Sequence, residues 1–143
     1  MPREKKRVLF LCIGNSCRSP MAEGFARAYG SDILEASSAG LAPAALIQPM
    51  TKKVMRARNI SLDEQFPMDL QIMDLKRFDL IVNLSGCELP FTPLCPVVEW
   101  AVRDPIGAKE SIYEQVRDEI EARVIRLVVE LRREQPAPAP KPS

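Results

Sequence analysis

The first thirty residues of the chain read as a buried strand, a short loop and a helix in direct succession. Residues 8–11 form an unbroken β-favouring apolar run, which is typical of a parallel strand covered on both faces. A helical pattern then runs from Pro20 to about Tyr29, with Ser19 expected as its N-cap and Gly30 as its stop. A strand that leads directly into a helix favours a parallel sheet with right-handed crossovers.

The same alternation continues to the end of the chain. The predicted strands are 8–11, 34–38, 79–84 and 96–100, and the predicted helices are 20–29, 49–58, 69–76 and 112–131. The last helix is the clearest, because its apolar residues recur at helical spacing: Ile112, Val116, Ile120, Val124, Leu127, Val128 and Leu131. The pattern predicts an α/β fold with three layers, in which helices flank a four-stranded parallel sheet.

Size and charge indicate a single globular domain that recognises its partners locally. The chain has 143 residues, and 20 Lys+Arg against 19 Asp+Glu leave a net charge of +1. We predict one catalytic domain over 1–134 and a disordered Pro/Ala-rich tail over 135–143. The near-neutral balance argues against a nucleic-acid or membrane-surface partner. The longest apolar run, 8–13, is far shorter than the roughly 20 residues of a membrane helix, so we expect a cytoplasmic protein with reduced thiols.

The absence of histidine narrows the chemistry that this chain can perform. The sequence has no His and four Cys. Without His there is no Ser-His or Cys-His mechanism, and the commonest zinc ligand is missing. Catalysis must therefore use cysteine, carboxylate, arginine or backbone groups.

One loop collects the reactive groups, and it reads Cys12-Ile13-Gly14-Asn15-Ser16-Cys17-Arg18-Ser19. Backbone N–H groups in such a loop and the dipole of the helix that follows both favour a bound anion. Arg18 adds a fork that matches two oxygens of a tetrahedral anion, and the same field favours the thiolate form of Cys12. Ser19 can donate to that sulfur, Gly14 permits a positive φ, and Asn15 can bond back to the loop. The loop is therefore predicted to bind an oxyanion and to attack it with Cys12.

This loop, with its Cys-x5-Arg-Ser pattern, resembles the phosphate loop of the low-molecular-weight protein tyrosine phosphatase superfamily, which includes the thioredoxin-coupled arsenate reductases. The resemblance extends over 8–133 and implies the four-stranded α/β fold. It also implies a late Asp-Pro loop whose Asp protonates the leaving oxygen, and Asp104-Pro105 follows the fourth predicted strand. A neighbouring anion favours the protonated carboxyl that a general acid requires. Asp104 is therefore the predicted general acid.

The reductase branch needs two more thiols, and Cys87 and Cys95 lie after the third predicted strand, where that branch keeps its resolving pair. The resemblance implies that one thiol attacks the nucleophilic cysteine and expels arsenite, and that the other takes over the disulfide. Thioredoxin then reduces this disulfide. In the reductases the first resolving cysteine directly follows Thr-Leu, whereas here Leu84 is followed by Ser85, and Cys87 comes two residues later.

Arsenate reduction is the function we favour, and hydrolysis of phosphotyrosine or other aryl phosphates is the alternative. The phosphatases carry aromatic residues after Asp-Pro, whereas this chain has Ile106-Gly107-Ala108. A binding module that senses phosphate or a phosphoprotein without turnover is a third hypothesis, although binding alone needs neither a nucleophile nor an acid.

The resemblance has two further implications for the site. The reductases hold a potassium ion near the loop, and Asn15, Glu23 and Ser38 match three of its positions. In the phosphatases the thiol that matches Cys17 can protect the nucleophile as a disulfide. Nucleotide-binding glycine motifs are absent from the sequence, so we expect no nucleotide cofactor.

Overall fold

The computed structural model describes residues 4–134, so the predicted disordered tail over 135–143 lies outside the described residues. The elements in order are β1 (Lys6–Cys12), α1 (Arg18–Gly30), β2 (Leu34–Gly40), α2 (Pro49–Arg56), β3 (Leu80–Asn83), β4 (Val97–Glu99) and α3 (Glu110–Glu134). Strands and helices alternate from β1 to α2, two short 3₁₀ turns, Leu70–Ile72 and Leu75–Arg77, precede the third strand, and the fourth strand follows the third without a helix between them.

The four strands form one parallel sheet in the order β2-β1-β3-β4. In this register Val8 of β1 lies opposite Ala36 of β2 and Leu80 of β3. The sheet confirms the predicted fold class. Because all strands run the same way, their carboxyl ends meet at one edge, and Cys12 lies there opposite Gly40.

The two faces of the sheet are covered by different kinds of structure. Val8 and Phe10 of β1 pack against the three α-helices, whereas Leu9 and Leu11 pack against the 3₁₀ turns and the loop that follows β3. All four side chains are fully buried. The unbroken apolar run of β1 follows directly from this arrangement, because a central parallel strand has no solvent face.

The predicted helix over 69–76 is wrong in kind, since the chain forms two separate 3₁₀ turns there. The side chain of Asp69 accepts from the N–H of Gln71, and that of Asp74 accepts from the N–H of Lys76. Each aspartate thus caps a new turn, because short side-chain bonds of this type compete with a continuous helix. Within residues 4–134, no helix carries an apolar stretch of membrane-spanning length.

Candidate active site

The loop between β1 and α1 turns its carbonyl groups outward and leaves its N–H groups free. The carbonyls of Cys12, Ile13, Gly14 and Ser16 accept hydrogen bonds of 2.8–3.1 Å from N–H groups of the segment between β2 and α2. No hydrogen bond within the described residues uses the N–H groups of residues 13–17. A run of unused N–H groups at the start of a helix is the geometry that binds an oxyanion.

The positive φ of this loop belongs to Asn15, at 50°, and the predicted positive φ at Gly14 is wrong. Asparagine tolerates this region because its side chain can bond locally. Here Oδ1 of Asn15 accepts from the N–H of Met68 at 2.8 Å, and Nδ2 donates to the hydroxyls of Ser19 and Ser38, both at 2.9 Å. These three hydrogen bonds fix the conformation of the loop without any ligand.

Cys12 is 3% exposed, and its Sγ lies 2.8 Å from Oγ of Ser19. The prediction that Ser19 caps α1 is wrong, because the helix begins at Arg18, two residues before the predicted start, and its N-cap is Cys17. The Ser19 hydroxyl instead faces the Cys12 sulfur, in agreement with the prediction that Ser19 can donate to it. The sulfur therefore lies at the positive end of α1 with a hydroxyl beside it, which is a suitable setting for a nucleophilic cysteine.

Arg18 is buried and is held by groups from two distant segments. Its Nη1 donates to the carbonyl of Leu84 at 2.5 Å and to that of Val102 at 3.3 Å, while Nη2 lies 3.6 Å from Oδ2 of Asp104. The carboxyl of Asp104 is partly exposed, and its Oδ1 accepts from the N–H of Ile106. The structure thus brings together all four residues predicted to act on the oxyanion, Cys12, Arg18, Ser19 and Asp104.

These groups surround a cavity of about 150 Å³. The residues that line it are Cys12, Ile13, Gly14, Ser16, Cys17, Arg18, Ala44, Gln48, Asp104 and Ile106. Sequence reasoning missed Ala44 and Gln48, which reach the site from the segment between β2 and α2. The only local signal was that Gln48 precedes Pro49 at a helix start, and this indicates a turn rather than a site.

The side chain of Cys17 belongs to the apolar core beneath the loop. It is 2% exposed, and burial raises the pKa of its thiol to about 12. The backbone of Cys17 is part of the oxyanion loop, as predicted. The protective disulfide between Cys17 and Cys12 stays a prediction.

Neither Cys87 nor Cys95 is among the residues that line the cavity around Cys12. Cys87 is exposed, its N–H donates to Oγ of Ser85 at 3.0 Å, and its carbonyl accepts from Nδ2 of Asn83 at 2.9 Å. Cys95 is half-buried against the face of the sheet that carries the 3₁₀ turns, and burial raises the pKa of its thiol. All four cysteines are free thiols. The resolving role of these two thiols stays a prediction.

The three predicted potassium ligands do come together, but their oxygen atoms are already engaged. Asn15 turns its amide nitrogen toward Ser38, and its oxygen accepts from a backbone N–H. The carboxylate of Glu23 hydrogen-bonds Ser38 and pairs with the guanidinium of Arg27 at 3.0 Å. The charge of this buried carboxylate is thus already balanced by Arg27. This arrangement of the oxygen atoms and of Arg27 does not fit a resident potassium ion.

A buried thiol, a guanidinium and a carboxylate around an anion-binding loop define a cysteine-dependent enzyme that acts on tetrahedral oxyanions. The family model for low molecular weight phosphotyrosine protein phosphatase matches residues 7–137, and the chain belongs to this family.

Similar proteins include several arsenate reductases. An arsenate reductase of Shouchella clausii is 39% identical over 130 residues, which cover 84% of this chain and 93% of that protein. A solved arsenate reductase in its phosphate-binding state superposes with a TM-score of 0.81 at 30% identity, over 88% of this chain and 98% of the other. A thioredoxin-dependent arsenate reductase of Corynebacterium glutamicum superposes with a TM-score of 0.77 at 25% identity, over 92% of this chain and 64% of the other.

Proposed function

We propose that this protein reduces arsenate to arsenite. The observation that carries the proposal is the meeting of Cys12, Arg18 and Asp104 around one anion-binding loop, in a chain that also holds two thiols on the loop after β3. Its similarity to arsenate reductases over most of its length supports this substrate. Arsenate has the charge and tetrahedral shape that the free N–H groups and the Arg18 fork can bind.

In the first step the Cys12 thiolate attacks arsenic and forms an S–As bond. Asp104 gives its proton to the oxygen that leaves, which departs as water. The Arg18 guanidinium and the loop N–H groups stabilise the charge on the remaining oxygens. Ser19 stabilises the thiolate before the attack.

In the second step the Cys87 thiolate attacks the sulfur of Cys12, which forms a disulfide. The S–As bond breaks, and its electron pair stays on arsenic, so that As(V) becomes As(III) and leaves as arsenite. Cys95 then attacks Cys87, which releases Cys12 as a thiolate. A dithiol reductant, thioredoxin in our proposal, returns the disulfide of Cys87 and Cys95 to thiols. This cycle requires a reducing compartment, so we place the protein in the cytoplasm.

Hydrolysis of aryl phosphates is a second candidate, and the position of Ser85 favours it. Ser85 directly follows Leu84, where the resemblance expects the first resolving cysteine, and its hydroxyl donates to Oδ1 of Asn83 at 2.6 Å. If Cys87 does not reach Cys12, a phosphorylated Cys12 is released by water, with the Asp104 carboxylate as the general base. The first chemical step is the same for both candidates.

NADPH consumption on addition of arsenate, with thioredoxin and its reductase present, tests the proposal. Aryl-phosphate hydrolysis is followed in parallel for the wild type and for the variants Cys87→Ser, Cys95→Ser and Cys17→Ala. The proposal is supported if NADPH consumption depends on arsenate, is lost in Cys87→Ser and Cys95→Ser, and is retained in Cys17→Ala. Cys12→Ser abolishes either activity, and Arg18→Ala weakens oxyanion binding.

Phosphate-ester hydrolysis that survives Cys87→Ser and Cys95→Ser, without any arsenate turnover, identifies a phosphatase instead. In that case neither of the two thiols takes part in catalysis. Retained turnover in Cys12→Ser contradicts both candidates, because neither proceeds without the nucleophile.

A further inference from the structure

The cavity above the oxyanion loop is lined by one polar residue, Gln48, that has no role in the proposed reaction steps. Ile13, Ala44 and Ile106 give part of the lining an apolar character, and Gln48 lies among them. Gln48 is half-buried. It is therefore a neutral hydrogen-bonding residue in the lining of the cavity that contains Cys12 and Arg18.

The backbone of Gln48 is fully committed, so its side chain is the free group. Its N–H donates to the carbonyl of Ser16 at 3.0 Å, and its carbonyl accepts from the N–H of Lys52 at 3.1 Å. Its side-chain amide makes no hydrogen bond with any group of residues 4–134. The hydrogen bond to Ser16 fixes the backbone of Gln48 next to the oxyanion loop. Its side chain therefore extends from a position beside the predicted anion site.

The position of Gln48 in the chain gives a second argument. It is the N-cap of α2, where Ser, Thr, Asp and Asn are preferred because their side chains accept from the first N–H groups of the helix. Gln48 makes no such bond. A residue that breaks a local rule and lines a reactive cavity is often placed there by function.

We propose that Gln48 is a substrate-binding residue whose side-chain amide donates a hydrogen bond to an oxygen of the anion held by the Cys12–Arg18 loop. This inference rests on the proposed oxyanion chemistry, but it does not depend on whether arsenate or a phosphate ester is the substrate. An uncharged donor adds affinity for the anion without adding a second cation next to Asp104. Such a cation would favour the ionised carboxylate over the acid that the first step needs.

The test measures binding of inorganic phosphate by titration calorimetry to the full chain and to three variants. Gln48→Leu removes the donor at similar size, and Gln48→Met removes it with an unbranched, uncharged side chain of the same length. Gln65→Leu is the matched control, because Gln65 is also half-buried but lines a different cavity. We expect both changes at Gln48 to weaken phosphate binding about tenfold to a hundredfold, the range for losing a bond to a charged group. We expect Gln65→Leu to bind like the wild type.

The urea midpoint separates this role from a structural one. Because the Gln48 side chain makes no bond within the described residues, Gln48→Leu should unfold at the wild-type urea concentration while binding phosphate more weakly. Wild-type phosphate affinity in either Gln48 variant overturns the proposal. If Gln48→Leu does not fold, the phosphate affinity of Gln48→Met decides between the two roles. Phosphate binding needs no turnover, so failure of this proposal is distinguishable from failure of arsenate reduction.

Discussion

The Sγ of Cys12 and the Oγ of Ser19 lie 2.8 Å apart, at the point where β1 ends and α1 begins. The two residues are seven positions apart in sequence, and the loop that separates them folds over the space where an anion binds. The Ser19 hydroxyl also accepts from Nδ2 of Asn15 at 2.9 Å, so its own proton is free to point at the sulfur. A hydroxyl that donates to sulfur stabilises the thiolate.

Replacing Ser19 by Ala should therefore slow the reaction of Cys12 with iodoacetamide at neutral pH. The loss of a hydrogen bond to a charged group costs about 1.5–3 kcal/mol, which corresponds to a fall of roughly tenfold to a hundredfold in the alkylation rate. The matched control is Ser16→Ala, since Ser16 lines the same cavity but makes no bond to the sulfur. Equal alkylation rates for the two variants would contradict a role of Ser19 in stabilising the thiolate.

Replacing Asp104 by Asn should slow the first chemical step most for substrates whose leaving group must be protonated as it departs. General acid catalysis contributes on the order of 10² to 10⁴ in rate. We expect a fall of this size in the burst of phenol from phenyl phosphate, and a small change with dinitrophenyl phosphate, whose leaving group needs no proton. A similar fall with both substrates would assign Asp104 to binding rather than to proton transfer.

Replacing Gly40 of β2 by Ala should displace the backbone of the oxyanion loop, against which Gly40 packs. A Cβ at Gly40 would lie 2.8 Å from the carbonyl oxygen of Ile13 and 3.0 Å from the N of Asn15, both backbone atoms of that loop. Overpacking of this kind costs roughly 1–3 kcal/mol. At Gly14 a Cβ would meet the movable hydroxyl of Ser16 at 3.2 Å, so Gly14→Ala is the milder control.

The measurements for Gly40→Ala are the urea midpoint and the affinity for phosphate, and we expect both to fall below those of Gly14→Ala. If both variants bind phosphate equally well, the close approach of β2 to the loop has no part in shaping the anion site.

Alkaline pH should destabilise the fold through Cys17. Its thiol has a pKa of about 12 in the folded protein, against an ordinary value of 9.0, because burial disfavours the thiolate. The buried neutral thiol therefore stabilises the fold fully below pH 9, and this contribution is lost as the pH rises toward 12, by at most about 1.4 kcal/mol per pH unit. Cys17→Ala should lack this pH dependence of stability. The measurement is the urea midpoint of the wild type and of Cys17→Ala at one pH below 9 and one pH above 9. An equal fall of the midpoint in the two proteins would contradict a role of Cys17.

Activity should not depend on potassium. Asn15, Glu23 and Ser38 have their oxygen atoms engaged by protein groups, and Arg27 balances the carboxylate. We expect the same KM for arsenate, or for an aryl phosphate, when sodium replaces potassium at constant ionic strength. A lower KM in potassium alone would show that Glu23 exchanges Arg27 for the ion.

The sequence was a good guide wherever neighbouring residues decide the structure. The strand at 8–11, the helix after the loop and the spacing from Cys12 to Arg18 all depend on consecutive residues, and the alternation of strands and helices predicted the parallel sheet. Local rules failed at Ser19, whose hydroxyl bonds the sulfur rather than the helix end, and at Asn15, which adopts the positive φ expected of Gly14. Both exceptions lie in the candidate active site, where contacts from other segments outweigh local preference.

By itself, then, the sequence determined the β1–loop–α1 unit and the reactive groups that it carries, because their geometry follows from short-range covalent and helical constraints. Only the tertiary structure decided what surrounds Arg18, since the carbonyls of Leu84 and Val102 are backbone groups that carry no sequence signal. It also placed Gln48, but not Cys87, in the lining of the cavity around Cys12. These arrangements depend on how segments far apart in the chain pack at one edge of the sheet, and no local pattern records that packing.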